Sequence, residues 1–216
     1  MANITSPHEG QPLLTAGEPL DRATAAMVMV HGRGAAAEDI LALTAEMNQS
    51  GFVYLAPQAA QNSWYPNSFL APIPSNEPGL SSGLAVIASI LAQLAEAGIS
   101  AERTMLLGFS QGACLSLEFA ARNAQRYGGL VGLSGGLIGP DGTPRKYAGS
   151  LEGTPVFLGC SDADFHIPKE RVEHSAEVLQ RLGGNVTKRL YPRMGHTVIR
   201  DEVRFVHSMM AELVEK

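Results

Sequence analysis

Short runs that are apolar along their whole length recur through the chain, and amphipathic stretches of helical period separate most of them. The runs lie at 25–31 ("AAMVMVH"), 52–56, 104–109, 129–134, 155–160 and 186–191. A strand with one face in water alternates apolar and polar residues, so strands that are apolar throughout must be covered on both faces. Helical stretches between them, expected at 37–49, 82–97, 111–123, 169–182 and 201–214, supply that cover as crossover connections. This pattern predicts an α/β fold with a mostly parallel central sheet and helices on both faces. The stretch "QPLLTAGEPLD" is expected to add a small edge hairpin. At 216 residues, with no internal repeat and no linker, the chain is read as one domain spanning 1–216.

Composition excludes some function classes. The net charge is −5 and the 16 basic residues are scattered, so nucleic acid is not the expected partner, because phosphate binding needs a basic patch. No window holds about 18 uninterrupted apolar residues, so no transmembrane segment is expected. The start, "MANITSPHEG", lacks a basic region followed by an apolar one, and the cytoplasm is the expected location. Cys114 and Cys160 match no metal or redox spacing and are read as buried thiols.

Two connections are unusually long. Residues 57–80, "PQAAQNSWYPNSFLAPIPSNEPGL", are proline-rich and lack a helical period, and 135–153 are glycine-rich. Structureless stretches of this length in a compact domain serve as functional walls. Trp64, Tyr65, Phe69, Leu70 and Ile73 are too many large apolar groups to leave in water, and are expected to line a substrate pocket. A homodimer contact through the same groups is the alternative.

Two segments fit Gly-x-Ser-x-Gly, "GFSQG" at 108–112 and "GLSGG" at 132–136. A serine nucleophile must project clear of the sheet, which a sharp strand-to-helix turn achieves by forcing a strained backbone. Ser110 follows a strand and precedes a helix. Ser134 ends a strand, but "GGLIGPDGTPRK" after it cannot start a helix, so Ser110 is the candidate. A serine needs a base, and the base an orienting carboxylate. In doubly wound hydrolases they follow in the order Ser, Asp or Glu, His, past the C-terminal ends of strands. "GCSDADFHIP" supplies Asp162 and Asp164, and "YPRMGHTV" supplies His196. His8, His174 and His207 read as solvated or packed, and His166 sits on the wrong loop for a base. "HGRG" after the first run leaves backbone N–H groups free, so Arg33 and Gln111 are the candidate oxyanion donors, with His31 supporting the turn.

"MVMVHGRGA", "LLGFSQGACLSLEFAAR", "SDADFHIP" and "GH", in that order, resemble the phospholipase/carboxylesterase family of α/β-hydrolases, which includes the acyl-protein thioesterases. The resemblance runs from about residue 12 to the end. It implies an α/β-hydrolase fold without a large cap domain. Its aspartate, four residues before the proline, falls on Asp164, and its histidine on His196. A histidine that the family carries before the aspartate loop is replaced here by Gly159 and Cys160 in "LGC". The expected function is a serine carboxylesterase acting on short to medium acyl esters, with thioesters and lysophospholipids within the family's range. Ser110, Asp164 and His196 would form the triad, the partner would be a small-molecule ester, and no metal or organic cofactor is implied. A non-catalytic ligand receptor and an acyltransferase on the same scaffold are the alternatives.

Overall fold

The computed structural model describes residues 6–215, and its centre is a seven-stranded sheet. Along the chain come β1 (Leu13–Gly17), β2 (Ala25–Val30), α1 (Ala37–Leu41), β3 (Phe52–Pro57), α2 (Gly79–Glu96), β4 (Thr104–Phe109) and α3 (Gln111–Arg122). They are followed by β5 (Gly129–Leu133), β6 (Pro155–Ser161), α4 (Lys169–Arg181), β7 (Asn185–Tyr191) and α5 (Arg200–Val214). The spatial order is β1-β3-β2-β4-β5-β6-β7, all parallel except β1, which runs antiparallel to β3.

Every residue of β2 is buried, as a strand covered on both faces requires. Ala26, Val28 and Val30 enter a core closed by α2, α3 and α4 through Leu80, Ile87, Leu115, Leu117, Val172 and Leu179. Ala25, Met27 and Met29 enter the opposite core, closed by α1 and α5 through Ile40, Val206 and Met210. Full burial of each Val, Leu, Ile or Met among these contributes about 1.5–3 kcal/mol. Among the described residues α2 is the one helix long and apolar enough to cross a membrane, but Leu80, Ile87 and Leu94 on it are fully buried in the core.

Two local expectations are corrected. The 37–49 segment is helical only to Leu41, then tightens into a 3₁₀ turn, Ala42–Ala45. There Thr44 donates its hydroxyl back to the Leu41 carbonyl, and the chain swings Met47 into the core beneath Tyr54. The N-terminal stretch forms no hairpin either. β1 pairs with β3, and the second arm is a turn in which the Pro19 carbonyl accepts from Arg22 and Ala23. Proline there offers no N–H to a ladder.

Candidate active site

β4 ends at Phe109 and α3 begins at Gln111, so Ser110 alone makes the turn, with φ 54° and ψ −117°. A non-glycine residue is costly in that region, and it persists because the surroundings over-determine it. The flanking glycines make the turn possible. A Cβ on Gly108 would overlap the Gly112 backbone, and one on Gly112 would overlap the Val30 carbonyl on β2. Ser134 also has a positive φ, 50°, but it is fully buried and loop follows it, so strained backbone by itself does not single out a serine. Ser110 is the one that reaches the cleft.

The loops after β6 and β7 approach Ser110 from the same edge of the sheet. His196 Nε2 lies 2.9 Å from Ser110 Oγ, and His196 Nδ1 lies 2.7 Å from Asp164 Oδ2. The Asp164 side chain is buried, and its Oδ1 accepts the N–H groups of His166 (2.8 Å) and Ile167 (3.1 Å). Burial would push this carboxyl up. The His196 hydrogen bond, the two backbone donors and the imidazole's charge outweigh it and hold the carboxyl below its ordinary value. An ionised Asp164 keeps the proton on Nδ1, which leaves Nε2 free to accept from the serine hydroxyl. Asp162 points elsewhere. Its Oδ1 accepts the Arg193 N–H at 2.8 Å and ties the two loops together.

The N–H groups of Arg33 and Gln111 have no hydrogen-bond partner among the described residues, and both residues line the cleft together with Ser110. Their side chains do something the sequence does not announce. The Arg33 guanidinium donates to the carbonyls of Tyr65 (2.8 Å), Pro66 (2.9 Å) and Asn67 (2.6 Å). The Gln111 amide accepts from the Trp64 N–H and donates to the Tyr65 carbonyl, each at 2.8 Å. His31 supports the turn between them: its Nε2 accepts the Ala59 N–H, and burial pushes its pKa down, which suits a neutral acceptor.

The cleft has a volume of about 410 Å³ and a mostly apolar lining. Tyr65 and Phe69 line it, as do Phe109, His166 and Ile167, three residues that sequence reasoning did not assign to it. Trp64, Leu70 and Ile73 do not. Trp64 is fully buried, donates its indole N–H to the His31 carbonyl and packs against His8 and His31. Leu70 faces a second cavity beside Arg171, and Ile73 packs on the core. Trp64, Tyr65 and Phe69 are buried within their own chain, whereas Leu70 and Ile73 stay partly exposed. Both cysteines are free and buried, and burial pushes each thiol up to about 12. Cys160 packs its sulfur 3.8 Å from Asp164 Oδ2.

A mostly parallel sheet with an antiparallel first strand, helices on both faces, Ser110 on a sharp strand-to-helix turn and no cap among the described residues make this an α/β-hydrolase. More narrowly, the chain belongs to the Phospholipase/Carboxylesterase family, whose model matches residues 15–214. It is similar to a phospholipase/carboxylesterase structure from Dyadobacter fermentans, at 40% identity and a TM-score of 0.91, covering 97% of this chain and 100% of that one. It is also similar to acyl-protein thioesterase 1 of Gibberella zeae, 32% identical over an alignment of 128 residues that covers 56% of this chain and 53% of that protein. The chain spans a little over half the length of such thioesterase relatives. Acyl-protein thioesterase 2 of Zea mays shares the fold, with a TM-score of 0.75 at 20% identity over 94% of this chain and 99% of that one.

Proposed function

We propose that this protein is a serine carboxylesterase that hydrolyses short to medium acyl esters through an acyl-enzyme. The observation that carries the reading is the continuous hydrogen-bonded chain from Ser110 through His196 to Asp164, at 2.9 and 2.7 Å, at the mouth of an apolar cleft. Ser110 Oγ attacks the acyl carbonyl while His196 Nε2 takes its proton, and the buried Asp164 carboxylate stabilises the imidazolium. The Arg33 and Gln111 N–H groups receive the oxyanion, each donor contributing about 2.7–4 kcal/mol to the barrier reduction. His196 then passes its proton to the departing alcohol. A water activated by the same imidazole releases the acid. A thioester reacts by the same steps, and the relatives named acyl-protein thioesterase support including it among the substrates.

The test is steady-state release of p-nitrophenol from p-nitrophenyl butyrate, together with labelling by a fluorophosphonate. Multiple turnovers are expected, with label on Ser110. Ser110→Ala is expected to lose both, and Ser134→Ala to keep the label. Label on Ser134, or binding without turnover as a ligand receptor would give, would overturn the reading. With a competing alcohol present, acid is expected to remain the main product; predominant transesterified product would point to an acyltransferase.

A further inference from the structure

We propose that Phe165 and His166 form a leaving-group site beside His196 that selects esters whose departing alcohol carries an aromatic ring. The proposal rests on the serine esterase reading above. In that reaction the departing oxygen must take its proton from His196 Nε2, so the substituent of the alcohol lies against whatever surrounds that imidazole. Aromatic rings surround it. Phe109 sits at 5.0 Å between ring centroids, His166 at 4.8 Å and nearly edge-on, and Phe165 at 6.4 Å, with Phe165 and His166 4.2 Å apart.

These rings differ in how far their contacts are already satisfied. Phe109 is partly buried beside Ser110, and His166 lines the cleft. Phe165 is 80% exposed, the one large apolar side chain among the described residues left open to this degree. The loop that presents it is anchored on both sides of the ring: Asp164 is held by His196, and Ile167 is buried with its N–H bound to Asp164. The ring is thus held next to the reacting atoms rather than left to fray. A single ring is far short of the roughly 800 Å² per partner that a stable interface buries, which argues against a protein partner. A flat group on the substrate fits its size. Ring pairs prefer offset or edge-to-face geometry at 4.5–7 Å, and such a pair corresponds to roughly two- to tenfold in binding. With the oxyanion directed to Arg33 and Gln111 and the alcohol to His196, the acyl group is left the Tyr65–Phe69 side. Acyl and alcohol selectivity then reside on different loops.

The experiment compares methyl, cyclohexylmethyl and benzyl butyrate, which share one acyl group and release primary alcohols. The expected result is a benzyl kcat/KM roughly two- to tenfold above the cyclohexylmethyl value. In Phe165→Ala and in His166→Ala that ratio is expected to fall toward one, and Phe165→Trp is expected to retain it. In parallel, benzyl butyrate is titrated into the Ser110→Ala protein while the ring signals of Phe165 and His166 are followed by NMR, and both are expected to move. An unchanged ratio in Phe165→Ala, or ring signals that stay fixed at saturating ester, overturns the proposal. Absence of turnover and of fluorophosphonate labelling in the unmodified protein refutes the esterase reading instead, and the titration then decides the aromatic site by itself.

Discussion

The Arg33 guanidinium donates to the Tyr65 carbonyl at 2.8 Å, so a residue that lines the cleft beside Ser110 also holds the cleft wall in place. Two further bonds, to the carbonyls of Pro66 and Asn67, complete the clamp. A planar fork can reach carbonyls in several directions at once, whereas an ammonium is a point donor on a flexible stem. Arg33→Lys should therefore loosen the wall while leaving the backbone N–H where it is. The expected outcome is a rise in KM of roughly tenfold for hexanoate esters, about the loss of one net hydrogen bond to a charged donor, with a smaller change for acetate. A chain-length series of p-nitrophenyl esters checks it, and equal losses for all acyl groups would show that the wall is not what the clamp supports.

Asp164 and Asp162 occupy one loop and should behave differently. Asp164→Asn removes the charge beside His196 and favours the wrong tautomer, so kcat is expected to fall by about 10³–10⁴-fold. Asp162→Asn keeps an oxygen able to accept from the Arg193 N–H and should cost less than tenfold. Steady-state kinetics on the two variants decide it, and a reversed order would mean that the carboxylates are misassigned.

Trp64 and Phe69 should also separate. Phe69 lines the cleft, so Phe69→Ala is expected to flatten the rise of kcat/KM with acyl length, which otherwise runs at about 0.8 kcal/mol per buried methylene. Trp64 is a core residue, and Trp64→Ala should instead lower unfolding free energy by about 3–5 kcal/mol. Denaturant melts beside the ester series distinguish a pocket effect from a packing effect.

Glu202, on the first turn of α5, carries a pH prediction. Its Oε2 accepts the Ile199 N–H, while Oε1 is buried against Gly159 without a hydrogen-bond partner among the described residues. Burial first, and then the Asp201 charge, push its pKa up to about 7. Between an unfolded value near 4.5 and that folded value, the native state holds a proton that the unfolded state has released, so stability falls as pH rises through the window. Glu202→Gln should remove that slope, with a gain on the order of 1–3 kcal/mol over the unmodified protein at pH 8 that vanishes near pH 4.5. Urea melts from pH 4.5 to 8 measure it, and parallel curves for the two proteins would show that Glu202 is not the buried acid responsible.

What the chain determined locally is what nearest neighbours and periodicity control. Runs such as Ala25–Val30 are apolar on both faces, so they can only be interior strands, and the parallel, helix-covered sheet follows. Gly108 and Gly112 mark the turn at Ser110 because no side chain fits there, and strand ends place Asp164 and His196 on the same edge of the sheet. Tertiary packing decided the rest. Trp64, Phe69 and Leu70 are equally apolar in a segment without a period, so nothing in their order says that one enters the core, one the cleft and one a different cavity. That sorting depends on which distant backbone groups the Arg33 and Gln111 side chains bind: the Tyr65 carbonyl in both cases, and the Trp64 N–H that donates to Gln111. The ring cluster around His196 arises the same way, from the β4, β6 and β7 ends converging at one edge of the sheet. Hydrophobicity and local conformation report whether a residue is buried and how its backbone turns. Which groups meet is a property of chain segments far apart in sequence, and only the closed fold sets those distances.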